Sequence, residues 1–167
     1  VLIRDARPDE FAEIGEMRVE AYVADGFLSP GDGYASRLRE LGSDGLDPVL
    51  VAAAEPGQGS RLLGTVMLQR WPRAGEVVTS PGEAEMRALS VRPEARGAGV
   101  GKALVAAVIA LAAETGVGHL VLLTQTEMKT AHHLYEEACF TRLPGRDWSP
   151  EPGVLLLAYG LRLDGAP

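Results

Sequence analysis

The sequence predicts a mixed α/β fold: one mixed, mostly antiparallel sheet with helices on both faces. Three observations lead there. Strand-period and helix-period apolar patterns follow one another in the order β-α-α-β-β-β-α-β-α-β. Leu120-Val121-Leu122-Leu123 is an unbroken apolar run, as a central strand covered on both faces requires. Pro and Gly clusters cut the chain into short connected elements, with no internal repeat or low-complexity tract. A length of 167 residues suits one domain, 1–167, around a single core.

Leu2–Ala6 reads as a short first strand. Pro8-Asp9 then turns the chain into a helix capped near Asp9, its face made by Phe11, Ile14, Met17, Val19, Ala21 and Tyr22. Gly26–Gly33 is a loop by composition, and a short helix over Tyr34–Leu41 follows. Val49–Glu55 and Leu62–Arg70 read as an antiparallel pair joined by the turn-rich Glu55–Ser60. Pro72–Gly82 is a loop whose Val77-Val78-Thr79 either extends that hairpin or does not, and Ala84–Val91 alternates as a strand. Val100, Leu104, Val105, Val108, Leu111 and Ala112 fall at helical spacing over Val100–Thr115, and Gly116 and Gly118 end that helix. The central strand His119–Gln125 is followed by a helix over Thr130–Ala138, with Ala131, Leu134, Tyr135 and Ala138 on one face. The loop Leu143–Gly153 leads into a last strand, Val154–Leu163.

Composition narrows the functional classes. Apolar residues make up 46% and charged residues 23%, the proportions of an ordinary globular chain. The net charge of −7 argues against a nucleic-acid partner, which needs a basic face. A lone cysteine, Cys139, excludes an internal disulfide framework and any cysteine cluster for zinc. Val1-Leu2-Ile3-Arg4-Asp5 has no basic segment followed by an apolar one, and no apolar run approaches the roughly 18 residues that span a bilayer. The expectation is a cytoplasmic protein with no membrane partner and no metal.

The chemistry-bearing segment is Arg96-Gly97-Ala98-Gly99-Val100-Gly101-Lys102, set between a strand and a helix. A helix start offers backbone N–H groups without internal partners, together with the positive end of the helix dipole. Glycines let the chain pass close to a ligand, so this turn suits a phosphate or pyrophosphate, with Arg96 and Lys102 adding charge at the rim. Spacing discriminates among phosphate binders. In G-x-G-x-x-G the third glycine would fall on Lys102; in a P-loop Arg96 would replace the first glycine and Ala103 the Ser/Thr. Both fail.

Arg87-Ala88-Leu89-Ser90-Val91-Arg92-Pro93-Glu94-Ala95-Arg96-Gly97-Ala98-Gly99-Val100-Gly101 resembles the acyl-CoA motif of the GNAT superfamily, a strand ending in L-x-V-x-P followed by R-G-x-G-x-G. Downstream, Ala131-His132-His133-Leu134-Tyr135-Glu136-Glu137-Ala138-Cys139-Phe140 resembles that family's A-x-x-L-Y-x-x-x-G-F signature. The element order agrees with the family fold over essentially the whole chain. The resemblance implies an N-acetyltransferase that moves an acetyl group from acetyl-CoA to a primary amine by direct attack. The acceptor would be a small-molecule amine or the amine of a peptide or protein, and the enzyme a monomer or homodimer. It further implies that Ala84–Val91 and His119–Gln125 splay apart. Backbone groups of Leu89, Ser90 and Val91 would pair with the pantetheine arm like an added strand. Amides of Gly97, Ala98, Gly99, Val100, Gly101 and Lys102 would hold the pyrophosphate, and Tyr135 would protonate the departing thiolate. The alternative is a non-catalytic acyl-CoA-binding module.

Several residues admit two readings. Tyr135 lies on the apolar stripe of its helix and is either core or general acid. Glu85 shares parity with Leu89 and Val91, so the three side chains should face one way; it is either the base that takes the amine's proton or a solvated or salt-bridged strand carboxylate. Some family members carry a glutamate on the next strand, but Leu120–Gln125 has none. His132 and His133 fall off the stripe and should face solvent. Cys139 stands where the family has a glycine that ends the helix at positive φ, so the helix is expected to end differently here. Tyr22, Phe27, Tyr34 and Asp147-Trp148 lie in or near loops that shape the acceptor pocket in the family, or else serve packing.

Overall fold

The computed structural model describes residues 1–28, 32–55 and 61–164. The connector Pro56–Ser60 and the middle of the Gly26–Gly33 loop therefore lie outside the described residues. Strands β1 (Leu2–Asp5), β2 (Val49–Ala53), β3 (Leu62–Arg70), β4 (Glu83–Val91), β5 (His119–Gln125), β6 (Thr141–Arg142) and β7 (Leu156–Arg162) alternate with helices α1 (Phe11–Ala24), α2 (Gly33–Glu40), α3 (Val100–Glu114) and α4 (Lys129–Glu137). The sheet order is β1-β2-β3-β4-β5-β7-β6. β1–β2, β2–β3, β5–β7 and β6–β7 pair antiparallel, and β4–β5 pair parallel. The parallel ladder pairs Glu83, Ala84 and Glu85 with His119, Leu120 and Val121.

Three local expectations are corrected, and one left open is settled. The seventh strand, Thr141–Arg142, is two residues long and is held by pairing with Gly160 and Tyr159, so no period announces it. The last strand starts at Leu156 rather than Val154. Val77-Val78-Thr79 is not strand: Val77 and Val78 are buried against Val121 and Ala158. At the first helix, a 3-10 turn over Pro8–Glu10 precedes α1, and the acid that closes it is Glu10, which accepts the Arg7 amide at 2.8 Å, rather than Asp9.

Two compact units can be distinguished. The first comprises Val1–Met67 and Ala88–Ala107. Its core joins Ile14 and Met17 of α1 to Val49, Val51, Ala53, Leu62 and Met67. A second cluster joins Val19, Leu28, Ala35 and Leu38. The second unit comprises Leu68–Arg87 and Val108–Pro167. There Val77, Val78, Val121 and Ala158 pack together, with Ala74, Leu123 and Leu143 against them. Among the described residues no helix is long and apolar enough to cross a membrane.

Candidate functional site

In the first unit the candidate anion site is the turn into α3. Gly97 and Gly99 both adopt left-handed φ, +81° and +84°, where a side chain costs about 1–2 kcal/mol. A Cβ at either would meet nothing within 4 Å, so backbone conformation, not crowding, requires glycine in the free chain. The first helical bond of α3 runs from the Ala103 amide to the Gly99 carbonyl at 3.0 Å. The amides of Gly99, Val100, Gly101 and Lys102 therefore lie ahead of the helical ladder, at the positive end of a 15-residue helix. Gly97, Ala98, Gly99 and Lys102 are exposed.

Two arginines brace this turn, and the sequence reading missed how. Arg92 is buried: Nε donates to the Leu62 carbonyl at 2.6 Å, Nη1 to Glu20 at 2.8 Å and Nη2 to Glu13 at 3.0 Å. It thereby fixes the end of β4 to β3 and α1. Arg96, expected at the rim, is directed elsewhere. Its Nη1 donates to Asp25 Oδ1 at 2.5 Å, and its other nitrogens reach the Ala21 and Val91 carbonyls at 3.4 Å. Its charge is thus met by the carboxylate at the end of α1. Gly64 is a third missed contributor. A Cβ there would fall 2.9 Å from both Leu104 Cδ1 and the Ser90 carbonyl, so glycine lets α3 lie close on β3 and β4.

Leu89 and Val91 are half-buried, and Ser90 is buried with its hydroxyl donating to the Ala88 carbonyl at 3.3 Å. Just before them Ala88 takes φ +54°, a left-handed residue inside a strand. That corrects the parity argument: the alternation of the pleat is interrupted at Ala88, so Glu85 cannot be assigned the face of Leu89 and Val91. Only a register measured in space could reveal this, because alanine carries no signal for positive φ.

In the second unit Glu85 is buried, not solvated. Its Oε1 accepts the Gly75 amide at 3.1 Å, and Oε2 lies 4.0 Å from Arg87 Nε. Burial pushes its pKa above the ordinary carboxylate value, against the opposing pull of Arg87 and the Gly75 amide. A carboxyl so placed is a stronger base than a free one.

Tyr135 is buried on α4, its ring 5.9 Å from Phe140 and 6.0 Å from Tyr159. Burial, helped by neighbouring Tyr159, raises its pKa far above that of a free phenol, so it stays protonated. The helix end beside it follows the family pattern after all. Cys139 takes φ +72°. Its amide donates to the Glu136 carbonyl at 3.0 Å, and the Phe140 amide donates to the Tyr135 carbonyl at 2.9 Å. This is a Schellman cap, and the Phe140–Tyr135 contact is the apolar pair that accompanies it.

His132 is buried rather than solvent-facing: Nε2 donates to the Gln125 carbonyl at 3.0 Å and the ring lies 5.7 Å from Tyr159. His133 is exposed as expected. Tyr22 and Tyr34 pack against the Val19–Leu38 cluster, and Asp147 is paired to Arg142 at 2.7 Å. Trp148 bridges to Leu156 through its backbone and leaves its side chain partly exposed. Among the described residues no group of three His, Cys, Asp or Glu could hold a metal.

The profile of the acetyltransferase (GNAT) family matches residues 13–139. No curated protein matches the chain at a significant level. Solved structures share the fold. The Salmonella typhimurium protein yncA, solved with its cofactor acetyl-CoA, superposes with a TM-score of 0.71 at 22% identity, covering 99% of this chain and 95% of that one. A ribosomal-protein-alanine N-acetyltransferase from Brucella melitensis gives 0.71 at 21% identity, over 98% of this chain and all (100%) of that one. A GNAT superfamily phosphinothricin acetyltransferase from Sinorhizobium meliloti, in complex with AcCoA, gives 0.71 at 18% identity, over 97% and 88%.

Proposed function

Because the chain belongs to the GNAT acetyltransferase family, we propose that it is an N-acetyltransferase that transfers an acetyl group from acetyl-CoA to a primary amine by direct attack. The whole chain acts as one catalytic domain, and the acceptor is a small-molecule amine or the amine of a peptide or protein.

The observation that carries the reading is the turn into α3. Two left-handed glycines lead the chain into four amides that precede the first helical bond, the arrangement that suits a pyrophosphate. Lys102 adds charge there, whereas Arg96 serves to anchor the turn to Asp25. Leu89, Ser90 and Val91, at the end of β4 that leads into this turn, offer the strand backbone for the pantetheine arm.

In the reaction the amine nitrogen attacks the thioester carbonyl. A C–N bond forms and the C–S bond breaks. Glu85 takes the proton that the amine loses, for which its raised pKa suits it. Tyr135 gives its phenolic proton to the departing thiolate, and burial keeps that proton in place until it is needed. The tyrosinate regains a proton from solvent and Glu85 returns one, so the products are an N-acetyl amine and the free thiol of CoA.

The test is turnover. The full chain is incubated with acetyl-CoA and a panel of small amines, peptide amino termini and lysine side chains, and thiol release is followed. Release that falls about 100-fold or more in Tyr135→Phe, with acetyl-CoA affinity retained, supports the enzyme. Tight acetyl-CoA binding with no turnover across the panel supports a non-catalytic module instead. Absence of acetyl-CoA binding overturns both.

A further inference from the structure

Taking Glu85 as the base, which rests on the reaction proposed above, we infer that Gly75 is a positioning residue: its backbone amide seats Oε1 of Glu85 and leaves Oε2 as the atom that receives the amine's proton. The two oxygens are held unequally. Oε1 accepts the Gly75 N–H at 3.1 Å. Oε2 faces Arg87 Nε at 4.0 Å, beyond hydrogen-bonding distance, and Arg87 is drawn aside by donating Nη1 to Gln69 Oε1 at 3.0 Å. One oxygen is thereby engaged, while the other keeps its lone pairs and has a positive charge nearby that favours the ionised state.

The identity of residue 75 has a physical cause. Gly75 does not adopt a left-handed φ, so its backbone conformation alone does not demand glycine. The atom that a Cβ at 75 would meet is Oε1 of Glu85, at 3.1 Å, tighter than ordinary contact. Glycine at 75 is therefore explained by the approach of the carboxylate. The connector that carries it is anchored on both sides. The Arg73 and Ala74 amides donate to the Arg70 carbonyl at 2.9 and 3.0 Å, and Val77 and Val78 are buried among Val121 and Ala158. Arg146 Nη1 donates to the Val77 carbonyl at 3.2 Å. The amide is consequently presented by a braced segment, and the carboxylate is oriented before any substrate arrives.

The groups that act on Glu85 are few. Arg87 comes from its own strand and the Gly75 amide from the β3–β4 connector, while its partner on β5 is the apolar Val121. A hydrogen bond to the ionised form favours ionisation, so removing the seat must raise the pH at which Glu85 titrates.

The experiment follows the carboxyl directly in the full chain, labelled with 13C at the glutamate carboxyls and 15N at the amides, with Glu85→Gln supplying the assignment. The Gly75 amide proton should shift with pH at the same midpoint as the Glu85 carboxyl, and that shift should vanish in Glu85→Gln. In Gly75→Ala the Glu85 midpoint should move upward. With whichever amine of the panel turns over, the acid limb of kcat/KM should move upward with it, at unchanged KM for acetyl-CoA. A Gly75 amide that stays flat through the Glu85 titration overturns the seat, and because it is read in the wild-type chain it does not depend on a variant folding. If Glu85→Gln keeps full turnover while the Gly75 amide co-titrates, the base reading fails and the assignment of Oε2 falls with it. If Glu85→Gln is inactive and Gly75→Ala leaves the midpoint and the acid limb in place, the base reading stands and this inference alone is overturned.

Discussion

Glu83 and His119 are paired residues of the parallel ladder between β4 and β5, and their side chains meet, with Glu83 Oε2 2.7 Å from His119 Nδ1. The same oxygen accepts Arg146 Nη1 at 2.7 Å, and Oε1 accepts both the amide and the hydroxyl of Thr79 at 2.9 Å. Burial works against ionisation, but the Thr79 amide, Arg146, His119 and the Thr79 hydroxyl outweigh it and bring the pKa from 4.5 down to about 2. A carboxyl depressed in the folded state stabilises the fold fully above its unfolded pKa and loses that contribution as pH falls through the folded value. Thermal stability should therefore decline as pH drops from 4.5 towards about 2. Glu83→Gln should lose about 1.5–3 kcal/mol at neutral pH and show a flatter acid decline, because its charge-assisted hydrogen bonds are gone. Melting curves of both proteins across that window check this; a constant gap between them at every pH would refute it.

A second expectation concerns Gly64. The two closest atoms are a flexible leucine tip and a backbone carbonyl, and the carbonyl cannot move aside cheaply. Gly64→Ala should cost about 1–3 kcal/mol through overpacking. Because Leu104 and Val100 are the α3 residues displaced, the variant should also bind acetyl-CoA more weakly. Denaturant unfolding and titration calorimetry measure the two effects separately. An unaffected fold with weaker binding would mean that Gly64 acts on the ligand rather than on the helix.

What could be read from the sequence divides along physical lines. The glycine turn and the apolar stripe of α3 are local features, and both stand where periodicity put them. β4 spans Glu83–Val91, one residue more than the alternation predicts, yet alternation cannot carry the face of Leu89 and Val91 back to Glu85, because a left-handed alanine in a strand leaves no mark in composition. His132 sits off the stripe of its own helix, and its burial depends on the Gln125 carbonyl and on Tyr159, which periodicity within one helix cannot supply. The Glu83–His119 contact likewise depends on strand register. Helix periodicity reports a residue's relation to its own element; these residues are defined by what other elements bring to them.

Cys139 offers a test of backbone strain. It occupies the left-handed position of the α4 cap with φ +72°, where glycine is free of cost and a side chain is not. Cys139→Gly should raise stability by about 1 kcal/mol, equivalent to roughly 2–4 °C in Tm for a chain of this size. Thiol release should proceed as before, because direct transfer requires no nucleophilic cysteine. Cys139→Val should be worse than wild type, since a β-branched residue tolerates positive φ least. An increase in Tm for valine, or none for glycine, would mean that the cap is not the source of strain.

The pyrophosphate assignment can be separated from strain at Gly99. Its φ of +84° penalises most side chains, so a loss of binding in an arbitrary variant would be ambiguous. Asn and Asp have nearly the same shape and both tolerate the left-handed region, but only Asp brings a negative charge to the start of α3. Gly99→Asn and Gly99→Asp should therefore fold alike, while Gly99→Asp binds acetyl-CoA about 10-fold or more weakly than Gly99→Asn, a difference of about 1.4 kcal/mol or more. The gap should narrow as salt is added, because the turn is exposed and its charges are screened. Calorimetric titration of both variants at low and high salt gives the answer. Equal affinities would place the pyrophosphate elsewhere, since an anion held by the amides of Gly99–Lys102 could not ignore a carboxylate introduced at Gly99.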